Sequence, residues 1–176
     1  MKRALAILFL ALSFYGRRAA QVSYDANMTN IVKVTYNGSS ASNVVIASNL
    51  QSYVTATVDG GAVSIVQKST VSASTCGEII YQLTGTSANG SFILEGNYKA
   101  TIELHGLNLT NLKGPAINIL NGKRIEIKPL DGTISTLTDG TSTEVDAWKS
   151  ALYCKGHIEF KGKGTLNVYG NYAHAI

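Results

Sequence analysis

The chain has 176 residues, which is enough for one domain or for one domain with a small module. Its formal net charge is +4, but four of its basic residues stand in the first 18 positions, namely Lys2, Arg3, Arg17 and Arg18. Without them 11 basic residues face 11 acidic ones, so the main support for a nucleic-acid-binding protein is lost and no nucleic-acid partner is expected.

Residues 1–20 are predicted to be a secretory signal peptide. Lys2 and Arg3 form a charged start, residues 4–15 form an apolar run, and Ala19-Ala20 provides small residues at the exit. A membrane anchor is the alternative, but the apolar run is short for a bilayer span. We therefore expect a secreted, periplasmic or cell-surface protein with no membrane partner after signal cleavage.

Residues 21–90 predict an N-terminal β-rich module or cap. A leader over residues 21–30 is followed by short apolar runs with the alternation of β-strands. The turn Asp59-Gly60-Gly61 predicts a hairpin between two of these runs. The runs lie at residues 31–36, 44–46, 54–58, 62–66 and 78–83.

Residues 91–176 repeat themselves. The phrases Pro115-Ala116-Ile117, Ser150-Ala151-Leu152 and His174-Ala175-Ile176 resemble one another, and the last two start 24 residues apart. The first two start 35 residues apart, and the excess lies in an inserted polar loop at residues 139–146. Units of this length with β-type alternation predict stacked β-coils, an all-β parallel solenoid that stops in mid-coil at the C terminus.

A second repeated phrase places a carboxylate between two apolar residues. It occurs as Thr101-Ile102-Glu103-Leu104, Arg124-Ile125-Glu126-Ile127 and His157-Ile158-Glu159-Phe160. Matching the phrases letter by letter predicts that Glu103, Glu126 and Glu159 stack in one outward row. The row could hold a cation or act as acid and base; we favour a row of charges partnered by neighbouring Lys and Arg residues.

The two cysteines allow two interpretations. Cys76 and Cys154 would meet an oxidising compartment after export, where a disulfide could join them. Cys154 also alternates with Leu152 along a predicted strand, which is typical of a small buried residue. We favour the buried residue.

The repeat also carries a family resemblance. Residues 116–127, Leu137-Thr138-Asp139-Gly140, residues 150–162 and Gly164-Thr165-Leu166-Asn167-Val168 resemble a secreted bacterial carbohydrate-binding domain-containing family. That family consists of right-handed parallel β-helices similar in fold to pectate lyases. The resemblance implies binding of a polysaccharide, with acidic polymers such as polygalacturonate as the class and calcium as a cofactor. The acidic residues available for calcium in the insert are Asp139, Glu144 and Asp146.

Aromatic and basic residues of the repeat are the candidate ligand-binding groups. Aromatic rings pack on the CH faces of sugars, and cations match the carboxylates of a polyuronate. The alternatives are a loop anchor for Trp148, a surface packing role for Tyr153 and a solvated charged face for the basic residues. The candidates are Trp148, Tyr153, Tyr172, Arg124, Lys155 and Lys161.

No catalytic residue is predicted. The sequence has no Ser-His-Asp arrangement, and three carboxylates in identical outward positions would have no difference in environment to split their pKa values. The leading hypothesis is therefore a secreted, non-catalytic polysaccharide-binding protein. The alternatives are a fragment of a polysaccharide lyase or hydrolase, and a surface adhesin or structural solenoid that binds protein.

Overall fold

The structure, a computed structural model, describes residues 21–145 and 147–176. The predicted signal peptide and Asp146 therefore lie outside the described residues. The described chain is built of β-strands and one short 3-10 helix at Ser48–Leu50. The strands are β1 Val22–Asp25, β2 Ile31–Asn37, β3 Ser40–Ala47, β4 Val54–Asp59, β5 Gly61–Gln67, β6 Ile79–Ser87, β7 Gly90–Glu95, β8 Ala100–Asn111, β9 Ile117–Ile119, β10 Arg124–Pro129, β11 Ile134–Asp139, β12 Leu152–Cys154, β13 His157–Phe160 and β14 Thr165–Tyr169.

These strands form two mixed sheets. Sheet A has the order β1-β3-β2-β6-β8-β10-β13, with β11 pairing to β8 and β14. Sheet B has the order β12-β9-β7-β5-β4. Two neighbouring pairs are antiparallel, β2 with β3 and β4 with β5, and the other pairs are parallel. The all-β prediction is confirmed at this level, and the right-handed parallel β-helix stays a prediction.

Strands β2 to β6 lie at the predicted positions, including the hairpin of β4 and β5 that is closed at Gly60. The exception is the predicted leader: residues 22–25 form β1, which pairs in parallel with β3 from Val22↔Val44 to Asp25↔Ala47. β6 lies before residue 90 and β8 after it, and the two pair from Ile79↔Ala100 to Ser87↔Leu109. The predicted division of the chain at residue 90 stays a prediction.

The repeated apolar phrases lie side by side in sheet B and its continuation. Ile117 is in register with Phe92 on one side and Leu152 on the other. The backbone N–H of Leu152 donates to the carbonyl of Ala175 at 3.0 Å, which brings the third phrase alongside the second. Both Ile117 and Leu152 are fully buried, so the repeat places successive apolar side chains in one core.

The second repeated phrase is offset by two residues between its first and second copies. Glu126 is in register with Glu159, as predicted, but it lies opposite Thr101 rather than Glu103. Glu103 instead lies opposite Lys128 and Gln82. The predicted row of three carboxylates is therefore wrong. A shift of two residues keeps every side chain on the same face of its strand, so the alternation of the sequence does not exclude it.

One hydrophobic cluster runs through both sheets. Its largest buried side chains include Tyr81 and Phe92, whose ring centroids are 6.0 Å apart. Cys76 is buried and Cys154 half-buried, and both are free thiols, so no disulfide joins them. Burial raises the pKa of the Cys154 thiol. Within residues 21–145 and 147–176, no helix is long and apolar enough to cross a membrane.

Candidate functional site

The connection between β11 and β12 borders a cavity on the outer face of sheet B. The cavity has a volume of about 300 Å³, and Trp148 forms part of its wall. The indole is half-buried, and its backbone is held locally: the N–H of Trp148 donates to Val145 at 2.9 Å. The Thr143 hydroxyl donates to the Trp148 carbonyl at 3.2 Å, which gives the backbone at this position a second hydrogen bond. Residues on the opposite walls include Ala62, Ser91, Ile93 and Asn118.

Asn118 is the most informative residue of this cavity. It stands at the centre of β9 between Ile117 and Ile119, and because these two fill the core, its own side chain faces outward. The residue is only 2% exposed, yet its Oδ1 atom has no hydrogen-bond partner among the described residues. A buried amide oxygen left unpaired costs about 1–3 kcal/mol, so a ligand hydroxyl that donates to it would remove a penalty already present.

The rim of the cavity is charged and tied together by hydrogen bonds. Lys113 Nζ lies 3.2 Å from Glu144 Oε1, and both side chains are well exposed. The N–H of Glu144 donates to the Lys113 carbonyl at 3.0 Å, and the Asn111 amide donates to the Pro115 carbonyl at 2.8 Å. The rim therefore offers a cation and an anion to an approaching ligand without first rearranging its backbone.

A second cavity of about 430 Å³ lies beside Tyr153. Tyr153 is in register with Asn118, so it follows that residue on the outer face of sheet B. Lys149, next to Trp148 in the chain, also lines this second cavity. Trp148 and Tyr153, two of the predicted binding residues, thus belong to neighbouring cavities bordered by the same connection.

Arg124 and Lys161 lie elsewhere, on the outer face of sheet A, in an ion-pair network. The Arg124 guanidinium contacts Glu126 and lies 3.3 Å from Glu159, while Lys161 Nζ lies 3.1 Å from Glu126. Hydrogen bonds from Arg124 and then Lys161 hold the pKa of Glu126 below its usual range, despite some desolvation. The carboxylates that the sequence placed beside these cations neutralise them, so the pair is a weaker candidate for anion binding than predicted.

The other two predicted binding residues line neither cavity. Lys155 follows β12, where its backbone N–H donates to Ile119 at 2.9 Å and its side chain is exposed. Tyr172 is exposed near the C terminus. The structure therefore brings together Trp148 and Tyr153 in one region and Arg124 and Lys161 in another.

Two of the acidic residues predicted for calcium, Asp139 and Glu144, have protein partners among the described residues. Asp139 is 2% exposed, and its carboxylate accepts the backbone N–H of Asn171 while its carbonyl accepts the Asn171 amide at 2.8 Å. Glu144 pairs with Lys113, and Asp146 lies outside the described residues. In the part of the chain that the structure describes, no three His, Cys, Asp or Glu side chains are grouped to hold a metal ion. Asp139 instead joins β11 to the turn after β14.

Comparison with known proteins gives the chain a family. The model of the family described as "Carbohydrate-binding domain-containing protein" matches residues 59–176, well over half of the chain. The chain belongs to this family. The matched range includes all ten residues that line the Trp148 cavity, from Ala62 to Trp148.

Members and neighbours of the carbohydrate-binding domain family extend the comparison. A carbohydrate-binding domain-containing protein of Acetivibrio thermocellus is 28% identical over 104 residues, which cover 55% of this chain and 36% of that protein. The structure of a polysaccharide lyase-like protein from C. thermocellum, a gadolinium derivative, is similar with a TM-score of 0.63 and 22% identity. That match covers 80% of this chain and 53% of the other. The chain thus spans about a third of the curated relative and about half of the solved neighbour.

Asn118 and Lys113 line the cavity but were not predicted as binding residues from the sequence. Asn118 left one usable signal, since it is an amide at the outward position of a strand whose inward neighbours are both Ile. The sequence contains no comparable signal for Lys113. Its place on the cavity rim arises because the connection before β12 folds back towards the turn before β9.

Proposed function

We propose that this chain is a secreted, non-catalytic polysaccharide-binding protein and that the Trp148 cavity is its main sugar site. The observation that carries the proposal is one cavity lined by both Trp148 and Asn118, a residue whose buried Oδ1 atom has no partner among the described residues, in the range that matches the family. The indole face packs against the CH face of a sugar ring, and Asn118 accepts a hydrogen bond from a sugar hydroxyl.

Acidic glycans such as polygalacturonate are the proposed class. Lys113 on the rim of the first cavity and Lys149 on the wall of the second supply cations near the two aromatic rings. A carboxylate on each sugar of a polyuronate can meet such cations in turn. Glu144 competes for Lys113, so we expect this electrostatic contribution to be modest and sensitive to salt.

The proposed scaffold is a right-handed parallel β-helix, exported by means of residues 1–20. Support for the helix comes from the parallel registers that join β7, β9 and β12 in one sheet and β8, β10 and β13 in the other. A scaffold of this kind presents its side chains at intervals of about 4.8 Å from strand to strand, so an extended glycan can contact several strands at once.

A polysaccharide lyase is the second candidate, because the solved neighbour is named polysaccharide lyase-like. A lyase needs a base for the proton next to the uronate carboxylate, and elimination leaves an unsaturated sugar. Ultraviolet absorbance of an unsaturated product after incubation with polygalacturonate would identify lyase activity. We expect no such absorbance from this chain.

The decisive test of binding is affinity electrophoresis in gels containing polygalacturonate or a neutral glycan. Trp148→Ala should weaken retention about tenfold or more, because it removes the aromatic platform. Tyr169→Ala is the matched control, since Tyr169 is a 55% exposed aromatic on β14 outside both cavities. Equal retention of the two variants, or no retention of the parent chain by any glycan, would overturn the proposal.

A further inference from the structure

The outer face of sheet A carries a polar groove on the opposite sheet from the Trp148 cavity. It has a volume of about 320 Å³ and is formed by three neighbouring strands, β2, β6 and β8. The registers Lys33↔Gln82 and Thr35↔Thr84 place two rows of side chains across it. The residues lining it are Lys33, Thr35, Gln82, Thr84 and His105.

Lys33 differs from the other cations on this face. Lys99, Arg124, Lys128 and Lys161 each lie within 3.6 Å of a carboxylate. No carboxylate of the described residues lies within ion-pair distance of Lys33, whose side chain is exposed. Its positive charge is therefore available to an anion, whereas those of the other four are already balanced.

The nearest acid in the same row cannot supply a partner, because it is committed elsewhere. Glu103 faces Gln82 on the next strand, and Lys128 lies 3.0 Å from its Oε1 atom. The Gln82 amide donates to Glu103 Oε2 at 3.1 Å, and His105 Nε2 lies 3.2 Å from the same oxygen. Glu103 thus uses Oε1 for Lys128 and Oε2 for Gln82 and His105, and these contacts hold Gln82 and His105 in place as walls of the groove.

The hydroxyl groups complete the arrangement. The Thr84 hydroxyl donates to the His105 carbonyl at 3.1 Å, so that wall is also fixed. Thr35 lies beside Thr84 in register and points its half-buried side chain into the same groove. An ammonium and a hydroxyl on one strand, two residues apart on the same face, can together bind the two oxygens of a carboxylate.

We propose that this groove is a second site, which binds the carboxylate of a uronic acid in an acidic glycan. This inference rests on the proposed polysaccharide function, because that function identifies the ligand that carries the carboxylate as a glycan. Lys33 and Thr35 precede residue 59, where the family match begins. The two sites lie on different sheets, so the Lys33 groove binds a uronate carboxylate independently of the sugar bound in the Trp148 cavity.

The test is isothermal titration of a galacturonate oligomer and of the same oligomer with its carboxylates methyl-esterified. Lys33→Gln should weaken binding of the charged oligomer about fivefold or more and leave binding of the esterified oligomer unchanged. Lys68→Gln is the matched control, because it removes the same charge from an exposed Lys that does not line the groove. Thr35→Val should weaken binding of the charged oligomer by a smaller factor and leave binding of the esterified oligomer unchanged.

The outcomes separate this inference from the proposed function. Equal losses in Lys33→Gln and Lys68→Gln would mean that only overall charge matters, and would overturn the second site. An equal loss for both oligomers in Lys33→Gln would overturn it as well. In either case Trp148→Ala would still weaken both oligomers if the polysaccharide function is correct. A parent chain that binds neither oligomer would overturn both proposals.

Discussion

The ammonium of Lys128 lies 3.0 Å from the carboxylate of Glu103, on the neighbouring strand of sheet A. Glu126, two residues before Lys128, contacts Arg124 and Lys161 instead. Cations and carboxylates therefore alternate along β10, where Arg124, Glu126 and Lys128 share one face, and this places cations beside Glu126 although Glu159 is its neighbour across the sheet.

Glu103→Gln should lower stability in a pH-dependent way. Burial alone would raise the pKa of Glu103, but hydrogen bonds from Lys128, His105 and Gln82 outweigh burial and hold this pKa below its usual value. A carboxyl group with a lowered folded-state pKa stabilises the fold fully above its unfolded pKa of about 4.3, and that contribution is lost as the pH falls through the folded value.

We therefore expect urea unfolding to show a loss of stability in Glu103→Gln at neutral pH that shrinks as the pH falls below about 4. Glu144→Gln serves as the control, because that carboxylate is 69% exposed and pairs with Lys113 across the cavity rim. A difference between parent and Glu103→Gln that stays constant with pH would contradict the assignment.

Asn118→Leu should separate stability from binding. Leu has the same branching and the same number of side-chain heavy atoms as Asn and removes the unpaired buried oxygen, so we expect the free energy of unfolding to stay the same or to rise by about 1 kcal/mol. Glycan retention should fall, since the acceptor for a sugar hydroxyl is gone. Thermal unfolding and affinity electrophoresis measure the two effects. Retained binding in this variant would remove Asn118 from the site.

Ile127→Ala should destabilise the fold far more than Phe160→Ala. The two residues are in register on neighbouring strands, but Ile127 is fully buried and Phe160 is 50% exposed. Removing a fully buried Ile side chain typically costs about 2–5 kcal/mol, and the exposed Phe should cost less than about 1 kcal/mol. Chemical unfolding of both variants gives the comparison. Similar losses would mean that the two positions are equally packed.

Gly156→Ala should be destabilising and Gly122→Ala nearly neutral. A Cβ atom at Gly156 would meet the carbonyl oxygens of Lys123 and Asn121 on the preceding layer, the latter at 2.8 Å. At Gly122 nothing lies within 4 Å of the added carbon. We expect a loss of about 1–3 kcal/mol for the first variant by thermal unfolding. A stable Gly156→Ala would indicate a looser turn than the structure shows.

The strands could be predicted from the sequence and their lateral register could not. The apolar alternation around Ile102 and Ile127 fixed which residues face the core. Ile127 nevertheless pairs with Ile102 and not with Leu104, because a shift of two residues preserves both the alternation and the apolar match. β1 was missed for a different reason. It has four residues, and its pairing with β3 depends on a strand that follows it by about twenty positions.

In the candidate site, too, some residues could be proposed from the sequence and others only from the structure. Trp148 was a candidate because it is an aromatic residue in a polar loop, where its ring can pack on a sugar or anchor the loop. Asn118 acquires its meaning only from its burial and its missing partner, and both are properties of the tertiary structure. Arg124 and Lys161 were proposed as glycan ligands because they are cations of the repeat. Their distances to Glu159 and Glu126 are known only from the tertiary structure.

The connection that carries Trp148 leaves sheet A at Asp139 and enters sheet B at Leu152, while the ladders on either side keep their registers. Lengthening a loop of this kind costs little, about 0.6 kcal/mol for each doubling of its length. Substitutions and insertions in this one segment can therefore reshape the wall of the Trp148 cavity while both ladders keep their registers.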